Sequence, residues 1–255
     1  MRIYALVNQK GGVGKTTTAL NVGAGLAAQG KAVLLIDADQ SGNLSKSAGI
    51  ELADDAPTLY EVLNGAADIN DAIQGAQGGK YDVLPADSML SGADVELSTV
   101  PGREMLLKEA IAQLSKPYDY VLIDCPPSLN TISLMALTAA GGAIVPVQAH
   151  YLALDGIAQL NNTIGLVRKR MNPQLEICGI LVTLYDARKL LNKDVLDSLT
   201  AAFPGKVYAT TISSNIALAE APSYGKDIFA YKPKSKGAEQ YRALVKEILE
   251  SEGTK

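Results

Sequence analysis

The sequence feature that most constrains the fold of this chain is a glycine-rich turn close to its start, NQKGGVGKTT over residues 8–17. A short apolar run precedes this turn, and a helical pattern that ends near Gly30 follows it. Because Gly11, Gly12 and Gly14 lack side chains, successive backbone N–H groups can turn inward around a bound anion, which the dipole of the following helix also favours. The pattern therefore predicts a strand, a phosphate-binding loop and a helix, in that order.

The spacing of this turn indicates a variant of the common phosphate loop, G-x-x-x-x-G-K-[ST], because the first glycine of that motif would stand where this chain has Gln9. We expect Lys15 to reach the β- and γ-phosphates of a nucleotide and the Thr16 hydroxyl to complete a Mg²⁺ shell. A glycine turn with chance lysines is disfavoured by the strand before it and the helix after it. The predicted nucleotide contacts are Lys10, Gly11, Gly12, Val13, Gly14, Lys15, Thr16 and Thr17.

Lys10 is a second lysine at the front of the same loop, where one triphosphate has no evident use for it. A lysine side chain is a flexible point charge that can reach outward from a turn. One interpretation is that Lys10 crosses an interface and meets the nucleotide of a second subunit, as an arginine finger does in other phosphoryl-transfer systems. The residues allow this interpretation without requiring it.

Short apolar runs alternate with longer helical patterns along the chain. Runs that are apolar at nearly every position suit strands buried on both faces of a parallel sheet. The predicted strands cover residues 3–7, 32–37, 81–86, 119–124, 142–147, 177–183 and 206–212, and the predicted helices include 102–115, 129–140, 154–171 and 192–202, with loops and short helices over 41–80. We expect one domain over residues 1–255, an α/β fold with a doubly wound, mostly parallel sheet flanked by helices on both faces.

Acidic residues end two of the predicted strands, Asp37 and Asp39 after one and Asp124 after another. Ligands collect at the carboxyl ends of strands in open α/β sheets, so these carboxylates are candidates for nucleotide and metal chemistry. Asp124 suits a residue that holds Mg²⁺ through water. Each of the three alternatively caps the turn or helix that follows it, and for Asp37 support of the magnesium shell and capping both stay open.

Charge is unevenly distributed along the chain, whose net charge is −4. Residues 1–149 hold 9 Lys and Arg against 16 Asp and Glu, whereas residues 150–255 hold 14 against 11. A polyanionic partner would therefore meet a local basic patch in the C-terminal part, since the overall field does not attract it. A solvated charged face is the alternative explanation of so small an excess.

The sequence disfavours several classes of protein. No apolar run reaches the roughly 18 residues of a membrane span, and the first residues are typical of a strand and not of a signal peptide. Cys125 and Cys178 give no disulfide framework, and His150 has no partners for a metal site. We expect a cytoplasmic protein.

The last helical pattern has an apolar stripe made of Tyr241, Leu244, Val245, Ile248 and Leu249. A helix that lies on a membrane surface carries mainly basic residues on its polar face. The polar face here is mainly acidic, with Glu239, Glu247, Glu250 and Glu252 against Arg242 and Lys246. The pattern therefore favours a helix docked on the domain and no membrane partner.

Three segments together resemble the P-loop NTPases of the deviant Walker A type: KGGVGKTTTALNVGAGLA, LLIDADQSGN and YDYVLIDCPPS. The segments YDAR, AEAPSYGK and KPKSKGAEQY narrow the resemblance to partition ATPases of the ParA/Soj type, over residues 2 to about 250. The resemblance implies that Lys10 reaches the partner's nucleotide in an ATP-dependent homodimer, that Asp39 orients or activates the attacking water beside the magnesium, and that Pro222 contacts the base. It also implies ATP and Mg²⁺ as cofactors.

In the family the ATP-bound dimer binds DNA without sequence preference, and a ParB-like protein stimulates hydrolysis and releases it. The resemblance therefore implies a nucleoid-associated protein of plasmid or chromosome segregation. Such a surface needs basic residues that contact phosphates and ignore base edges. The candidates are Arg188, Lys189, Lys226, Lys232, Lys234 and Lys236, with residues 168–170 as a further basic run.

The chain departs from the family pattern at three positions. Gln40 stands where relatives have a proline, and Ser214 and Ala217 replace two arginines, one of which is implicated in DNA contact. Fewer phosphate contacts weaken non-specific DNA binding. The alternatives are an orphan ParA-like ATPase that positions a protein cargo, or one that has lost DNA binding. A MinD-like membrane ATPase, a nitrogenase-reductase-like protein and a biosynthetic amidase or synthetase are disfavoured.

Overall fold

The computed structural model describes residues 1–76, 78, 80–151 and 153–253. Its centre is an eight-stranded sheet in the order β3-β4-β2-β5-β1-β6-β7-β8, parallel except for the antiparallel edge strand β3. The strands are β1 Arg2–Leu6, β2 Val33–Asp37, β3 Gln74–Gly75, β4 Asp82–Leu84, β5 Tyr120–Asp124, β6 Gly142–Gln148, β7 Glu176–Tyr185 and β8 Ile212–Ser213. The predicted fold class is confirmed.

Helices cover both faces of this sheet. They are α1 Lys15–Ala28, α2 Asn43–Ser47, α3 Leu59–Leu63, α4 Ile69–Ala72, α5 Ala93–Glu96, α6 Leu106–Ala112, α7 Thr131–Ala139, α8 Ala153–Arg170, α9 Leu190–Ala202, α10 Ile216–Glu220, α11 Ile228–Tyr231 and α12 Lys236–Gly253. Four 3₁₀ turns lie at Ser88–Gly92, Leu97–Thr99, Arg103–Met105 and Ala221–Tyr224. None of the helices in the described part of the chain combines the length and the apolar character needed to cross a membrane.

The central strands divide their side chains between two apolar clusters. In β1, Ala5 faces one cluster while Tyr4 and Leu6 face the other, and β2 alternates in the same way. Successive side chains of a strand point to opposite faces, so a strand covered on both sides needs apolar residues throughout. This is the physical reason that the uninterrupted apolar runs of the sequence became the middle of the sheet.

Helix α1 packs unusually close to the sheet through Gly23. A Cβ atom built on Gly23 would lie 2.5 Å from Cδ2 of Leu35, so a larger residue there would force the Leu35 side chain to move. The close packing holds α1 against β2 and β5 and fixes where its first turn points.

Helix α12 docks on the sheet through its polar side chains as well as its apolar stripe. Glu247 accepts hydrogen bonds from the backbone N–H groups of Ala209 and Thr210, at 2.7 and 3.1 Å. Glu252 accepts from the hydroxyls of Tyr4 and Tyr120, at 2.6 and 2.5 Å. The acidic face that disfavoured a membrane helix in the sequence is therefore partly an anchoring face.

Two sequence expectations about elements are wrong. Residues 206–212 do not form a continuous strand: Val207 makes only an isolated bridge with Ile180, and β8 begins at Ile212. Between these points the carboxylate of Glu247 accepts the backbone N–H groups of Ala209 and Thr210, so these two groups need no partner on a neighbouring strand. The helix expected over 102–115 is shorter: Gly102, with a positive φ of 71°, lies outside it, Arg103–Met105 form a 3₁₀ turn, and α6 ends at Ala112.

Candidate functional site

The glycine loop closes on the first turn of α1. Gly12 and Gly14 have positive φ values of 71° and 87°, which residues with a Cβ atom rarely adopt. The carbonyl of Gly14 accepts the N–H of Thr18 at 2.9 Å, so Gly14 is the last residue before the helix. The unpaired N–H groups and the dipole at this end of α1 therefore face the loop, as anion binding requires.

The two lysines of the loop have different environments. Lys15 is buried, and its Nζ donates to the carbonyl of Lys10 at 3.3 Å. Burial lowers the pKa of Lys15, whereas the nearby carboxylate of Asp124 raises it. Lys10 is exposed, and its Nζ donates to Oε1 of Gln148 at 3.4 Å. The Lys15 side chain is therefore buried within the fold, whereas the Lys10 side chain stays at the protein surface.

Asn8, which sequence reasoning missed, fixes the entry to the loop. Its Nδ2 donates to the carbonyl of Pro146 in β6 at 2.7 Å, and its Oδ1 accepts the N–H of Lys10 at 3.0 Å. Asn8 is buried, so these bonds are protected from water. The loop is thereby tied to a neighbouring strand, which no local pattern in the sequence reveals.

Asp37 and Asp124 lie opposite each other on the adjacent strands β2 and β5. The carboxylate of Asp37 accepts the N–H and the hydroxyl of Ser45 at 2.8 and 2.7 Å, and the N–H of Asp39 at 3.2 Å. Burial raises the pKa of Asp37 to about 6, although these hydrogen bonds oppose the shift. Of the two interpretations left open for Asp37, its contacts favour the one in which it holds the following turn and helix α2.

Asp124 is fully buried, and neither of its carboxylate oxygens has a hydrogen-bond partner of normal geometry, although the Thr16 hydroxyl lies close enough to affect its pKa. Burial raises the pKa of Asp124 well above its ordinary value, and repulsion from Asp37 adds to the effect, while Thr16 and Lys15 lower it. A buried carboxylate without partners is costly, and a hydrated cation would satisfy it. The residues therefore fit a magnesium ion held through Thr16 and Asp124.

The described residues contain no group of three or more His, Cys, Asp and Glu side chains that could hold a metal by themselves. Magnesium usually keeps several waters and binds through one or two carboxylates together with the phosphates of its substrate. A sparse protein ligand set is therefore compatible with magnesium. Cys125, beside Asp124, is buried, and burial raises the pKa of its thiol, which disfavours the thiolate.

Asp39 lies at the mouth of the loop, beyond the end of β2. Its Oδ1 accepts the N–H of Ser41 at 3.0 Å, and the residue is only partly buried. Asp39 is also close enough to Lys15 for its charge to raise the pKa of the lysine. The structure thus brings Asp39, Asp124 and the loop to one edge of the sheet, which leaves Asp39 able to meet solvent there.

A cavity of about 440 Å³ continues from the loop along the carboxyl edge of the sheet. The loop, Asp39, Asn43 and Pro127 line one half of it. Leu184, residues 212–215, Leu218 and Ala219 form the part here called the distal wall, and Thr183 and Tyr241 also line the cavity. Pro222 lies one turn beyond, in the 3₁₀ turn Ala221–Tyr224, and is not part of the lining, so its contact with a base stays a prediction.

The cavity joins elements that are far apart in the sequence. Thr183 donates its hydroxyl to the carbonyl of Val13 in the loop at 2.8 Å. The hydroxyl of Tyr241, on α12, lies 3.2 Å from that of Thr18 on α1. Sequence reasoning did not select these residues, although the end of a predicted strand, GILVT, was a usable signal for Thr183.

The predicted basic residues are all exposed but belong to separate elements. Arg188 and Lys189 follow β7, at the same edge as the cavity, and Arg188 makes a two-pronged ion pair with Asp186 at 2.9 Å. The remaining four lie between the end of α10 and the start of α12, at Lys226, Lys232, Lys234 and Lys236. Residues 168–170 end α8, which runs back from β6 to the start of β7, so they lie at the opposite edge.

Comparison with known proteins identifies the family. A family model described as an AAA domain matches residues 1–177. The sporulation initiation inhibitor protein Soj of Bacillus subtilis is 47% identical over 97% of this chain and 98% of its own length. The chromosome partitioning protein ParA of Caulobacter vibrioides is 45% identical over 99% and 95%. The chain belongs to the ParA/Soj family of P-loop ATPases.

Likeness extends to solved structures. Cobyrinic acid a,c-diamide synthase from Mycobacterium smegmatis, with bound ATP analog and magnesium, has a TM-score of 0.87 and 38% identity, covering 100% of this chain and 96% of that one. The ParA/Soj family resemblance stated from the sequence is thus confirmed.

Proposed function

We propose that this chain is a Mg²⁺-dependent ATP hydrolase that forms an ATP-dependent homodimer, binds DNA without sequence preference and acts in plasmid or chromosome segregation. The observation that carries the proposal is the contrast between the two loop lysines: Lys15 is buried within the fold, whereas Lys10 stands exposed at the front of the same loop. Two lysines in such different places suit two nucleotides, one in each subunit. The identity of this chain to Soj and ParA proteins supports the same conclusion.

In the proposed cycle, residues 11–17 hold the phosphates through backbone N–H groups, and Lys15 pairs with their charge. Thr16 and Asp124 would hold Mg²⁺ through hydroxyl and water, and Asp39 would take part in that shell. Magnesium supplies charge neutralisation of the phosphate oxygens. Asp39, which reaches the open side of the loop, orients the attacking water. Lys10 meets the partner's nucleotide once two chains close face to face.

DNA binding in this proposal depends on basic residues at the carboxyl edge of the sheet and beside it. A closed dimer presents Arg188, Lys189 and the lysines between 226 and 236 twice, so that weak phosphate contacts add up. At the positions of the two replaced arginines this chain has Ser214, which lines the cavity, and Ala217, which is buried. Neither position presents a cation to DNA. We therefore expect DNA binding that requires ATP, is weaker than it would be with the two arginines, and has a shallower salt dependence.

A ParB-like activator is the proposed partner that accelerates hydrolysis, and the cytoplasm, on the nucleoid, is the proposed location. The principal alternative is an orphan ParA-like ATPase that positions a protein cargo with the same chemistry. A biosynthetic synthetase is less well supported, because identity is lower to the diamide synthase, at 38%, than to Soj, at 47%.

The test is retention of the protein on random-sequence DNA with ATP, with ADP and without nucleotide, over a series of salt concentrations. We expect retention with ATP only, fading as salt rises. Asp39→Ala should be retained longest, because it binds ATP without efficient hydrolysis. Lys10→Ala should bind ATP but fail to dimerise in light scattering and fail to be retained.

Two results would contradict the proposal in separate ways. Normal ATP-dependent dimerisation of Lys10→Ala would remove the role of Lys10 across the interface. A trapped Asp39→Ala dimer that ignores DNA would exclude DNA binding while leaving the ATPase intact, and the cargo-positioning alternative without DNA would take its place.

A further inference from the structure

The first turn of α1 carries three consecutive threonines, and they have different surroundings. Thr16 and Thr17 line the cavity, whereas Thr18 is fully buried. The backbone N–H of Thr18 also donates to the carbonyl of Gly14 at 2.9 Å, which closes the helix onto the phosphate-binding loop. A contact that fixes the side chain of Thr18 therefore also fixes how its two neighbours are presented to the cavity.

The hydroxyl of Tyr241 supplies such a contact. It lies 3.2 Å from the hydroxyl of Thr18, so that one donates to the other, although the two residues are 223 positions apart in the sequence. Tyr241 is only 1% exposed, and burial raises its pKa, so its hydroxyl keeps the proton at neutral pH. The pair is a buried polar contact between the first helix and the last.

Helix α12 is itself held in place on both sides of Tyr241. The preceding residue, Gln240, accepts the N–H and the hydroxyl of Ser213, in the distal wall, at 3.1 and 3.0 Å. One turn further along, α12 packs closely on α1, since a Cβ atom built on Gly25 would lie 2.7 Å from Cγ2 of Val245. The Tyr241 hydroxyl is therefore a fixed point against which the start of α1 is set.

A second buried side chain holds the same turn from another direction. Asn21 donates through Nδ2 to the carbonyl of Thr17 at 2.7 Å, and its Oδ1 accepts the N–H of Ile228, in α11, at 2.8 Å. Two independent supports hold the turn. Removing one of them should therefore loosen the turn without destroying it.

We propose that Tyr241 is a positioning residue of the nucleotide site: through Thr18 it sets the orientation of the first turn of α1, and with it the direction in which the Thr16 and Thr17 hydroxyls meet phosphate and magnesium. Groups that bind a ligand need supporting contacts that hold them to within about 0.5 Å. Tyr241 acts through Thr18 and needs no contact with the nucleotide. This inference rests on the proposed nucleotide-binding function and adds to it a residue of the last helix.

The experiment measures binding of ADP and of inorganic pyrophosphate, both with Mg²⁺, by isothermal titration calorimetry well below the melting temperature of every variant. ADP avoids the dimer proposed for the ATP form, so one chain's site is measured. Tyr241→Phe removes only the hydroxyl, and it should weaken both ligands equally, by about threefold to tenfold, because both are held by the phosphate end of the site. Thr18→Val should have the same effect, whereas Thr18→Ser keeps a hydroxyl and should stay within about twofold of wild type.

Two further variants separate positioning from stability. The double variant of Tyr241→Phe and Thr18→Val should bind no more weakly than either single variant, because one contact is lost in all three. Tyr118→Phe is the matched control: Tyr118 is also buried and donates its hydroxyl, to Asp82 at 2.6 Å, but it does not line the cavity. It should lower the melting temperature, as Tyr241→Phe does, and leave both affinities unchanged.

Three results would overturn the inference. Unchanged affinities in Tyr241→Phe would make the hydroxyl pair a purely structural contact. A loss for ADP without a loss for pyrophosphate would mean that Tyr241 contacts the nucleoside directly. Additive losses in the double variant would mean that the two hydroxyls act separately.

The outcome is distinguishable from failure of the proposed function. If wild-type protein binds neither ADP nor pyrophosphate, or if Lys15→Ala binds both normally, the nucleotide site itself is misassigned. If wild-type protein binds both and Lys15→Ala binds neither, the site stands, and the Tyr241 and Thr18 variants decide the role of α12 alone.

Discussion

The phosphate-binding loop and the proposed DNA-binding residues differ in how their parts are assembled. The loop is one continuous segment, residues 10–17, held by buried partners such as Asn8 and Thr183. The basic residues come from β7 and from the segment between α10 and α12, and all are exposed. A site with buried, mutually bonded parts has one geometry in each chain, whereas scattered surface charges become a site only when many act together. Substitutions should therefore be severe in the loop and graded on the surface.

The largest expected effect is in the loop. Lys15→Ala removes a buried cation that is proposed to pair with the phosphates, so ATP affinity should fall by about 100-fold, equivalent to ~2.7 kcal/mol. Titration calorimetry with ATP and Mg²⁺ measures it. The neighbouring Lys10→Ala is the matched control and should bind ATP within about threefold of wild type. Equal losses in the two variants would remove the distinction between the lysines.

A smaller expected effect is a pH dependence of the free energy of unfolding that comes from the buried carboxylate of Asp37. Burial raises the folded-state pKa of Asp37 to about 6, above that of the unfolded chain. The folded protein therefore takes up a proton first as pH falls, and the contribution of this group to stability is lost as pH rises through 6. Between pH 7.5 and pH 5 the free energy of unfolding should rise by about 1.4 kcal/mol in wild type relative to Asp37→Asn.

This pH comparison is made by denaturant unfolding without nucleotide or magnesium. If Asp37→Asn and wild type keep a constant difference across the range, Asp37 is not the protonating group. The comparison also bears on Asp39. Asp37 accepts a hydrogen bond from the backbone N–H of Asp39 and so orients the turn that carries this residue.

The smallest expected effects lie on the surface. Arg188→Ala and Lys232→Ala should each lower the slope of log affinity against log salt by about 1.8, since each phosphate contact contributes about 0.9 and a dimer has two copies. Fluorescence anisotropy with labelled random DNA and ATP measures the slope. Lys169→Ala, at the opposite edge of the sheet, is the control and should match wild type. Were Lys169→Ala to change the slope as much, the DNA surface would lie elsewhere.

The sequence predicts the strands around the loop better than it predicts the strand expected over 206–212. The strands that flank the loop and carry Asp37 and Asp124 were predicted within about a residue, because a parallel sheet demands unbroken apolar runs. The strand expected over 206–212 failed, since Glu247 of α12 pairs with its backbone from 37 and 38 residues away. A long-range partner of that kind has no local signature.

The candidate site shows the same division between local and long-range information. The sequence alone determined the fold class and the family and predicted which segment binds phosphate, because glycine spacing, apolar runs and strand-end carboxylates are local properties of the chain. Only the tertiary structure separated the hydrogen-bonded Asp37 from the unpartnered Asp124, and only it placed Tyr241 of α12 beside Thr18 of α1. These depend on burial, on strand register and on the packing of α12 against α1, which are set by residues distant in sequence that meet only when the sheet forms.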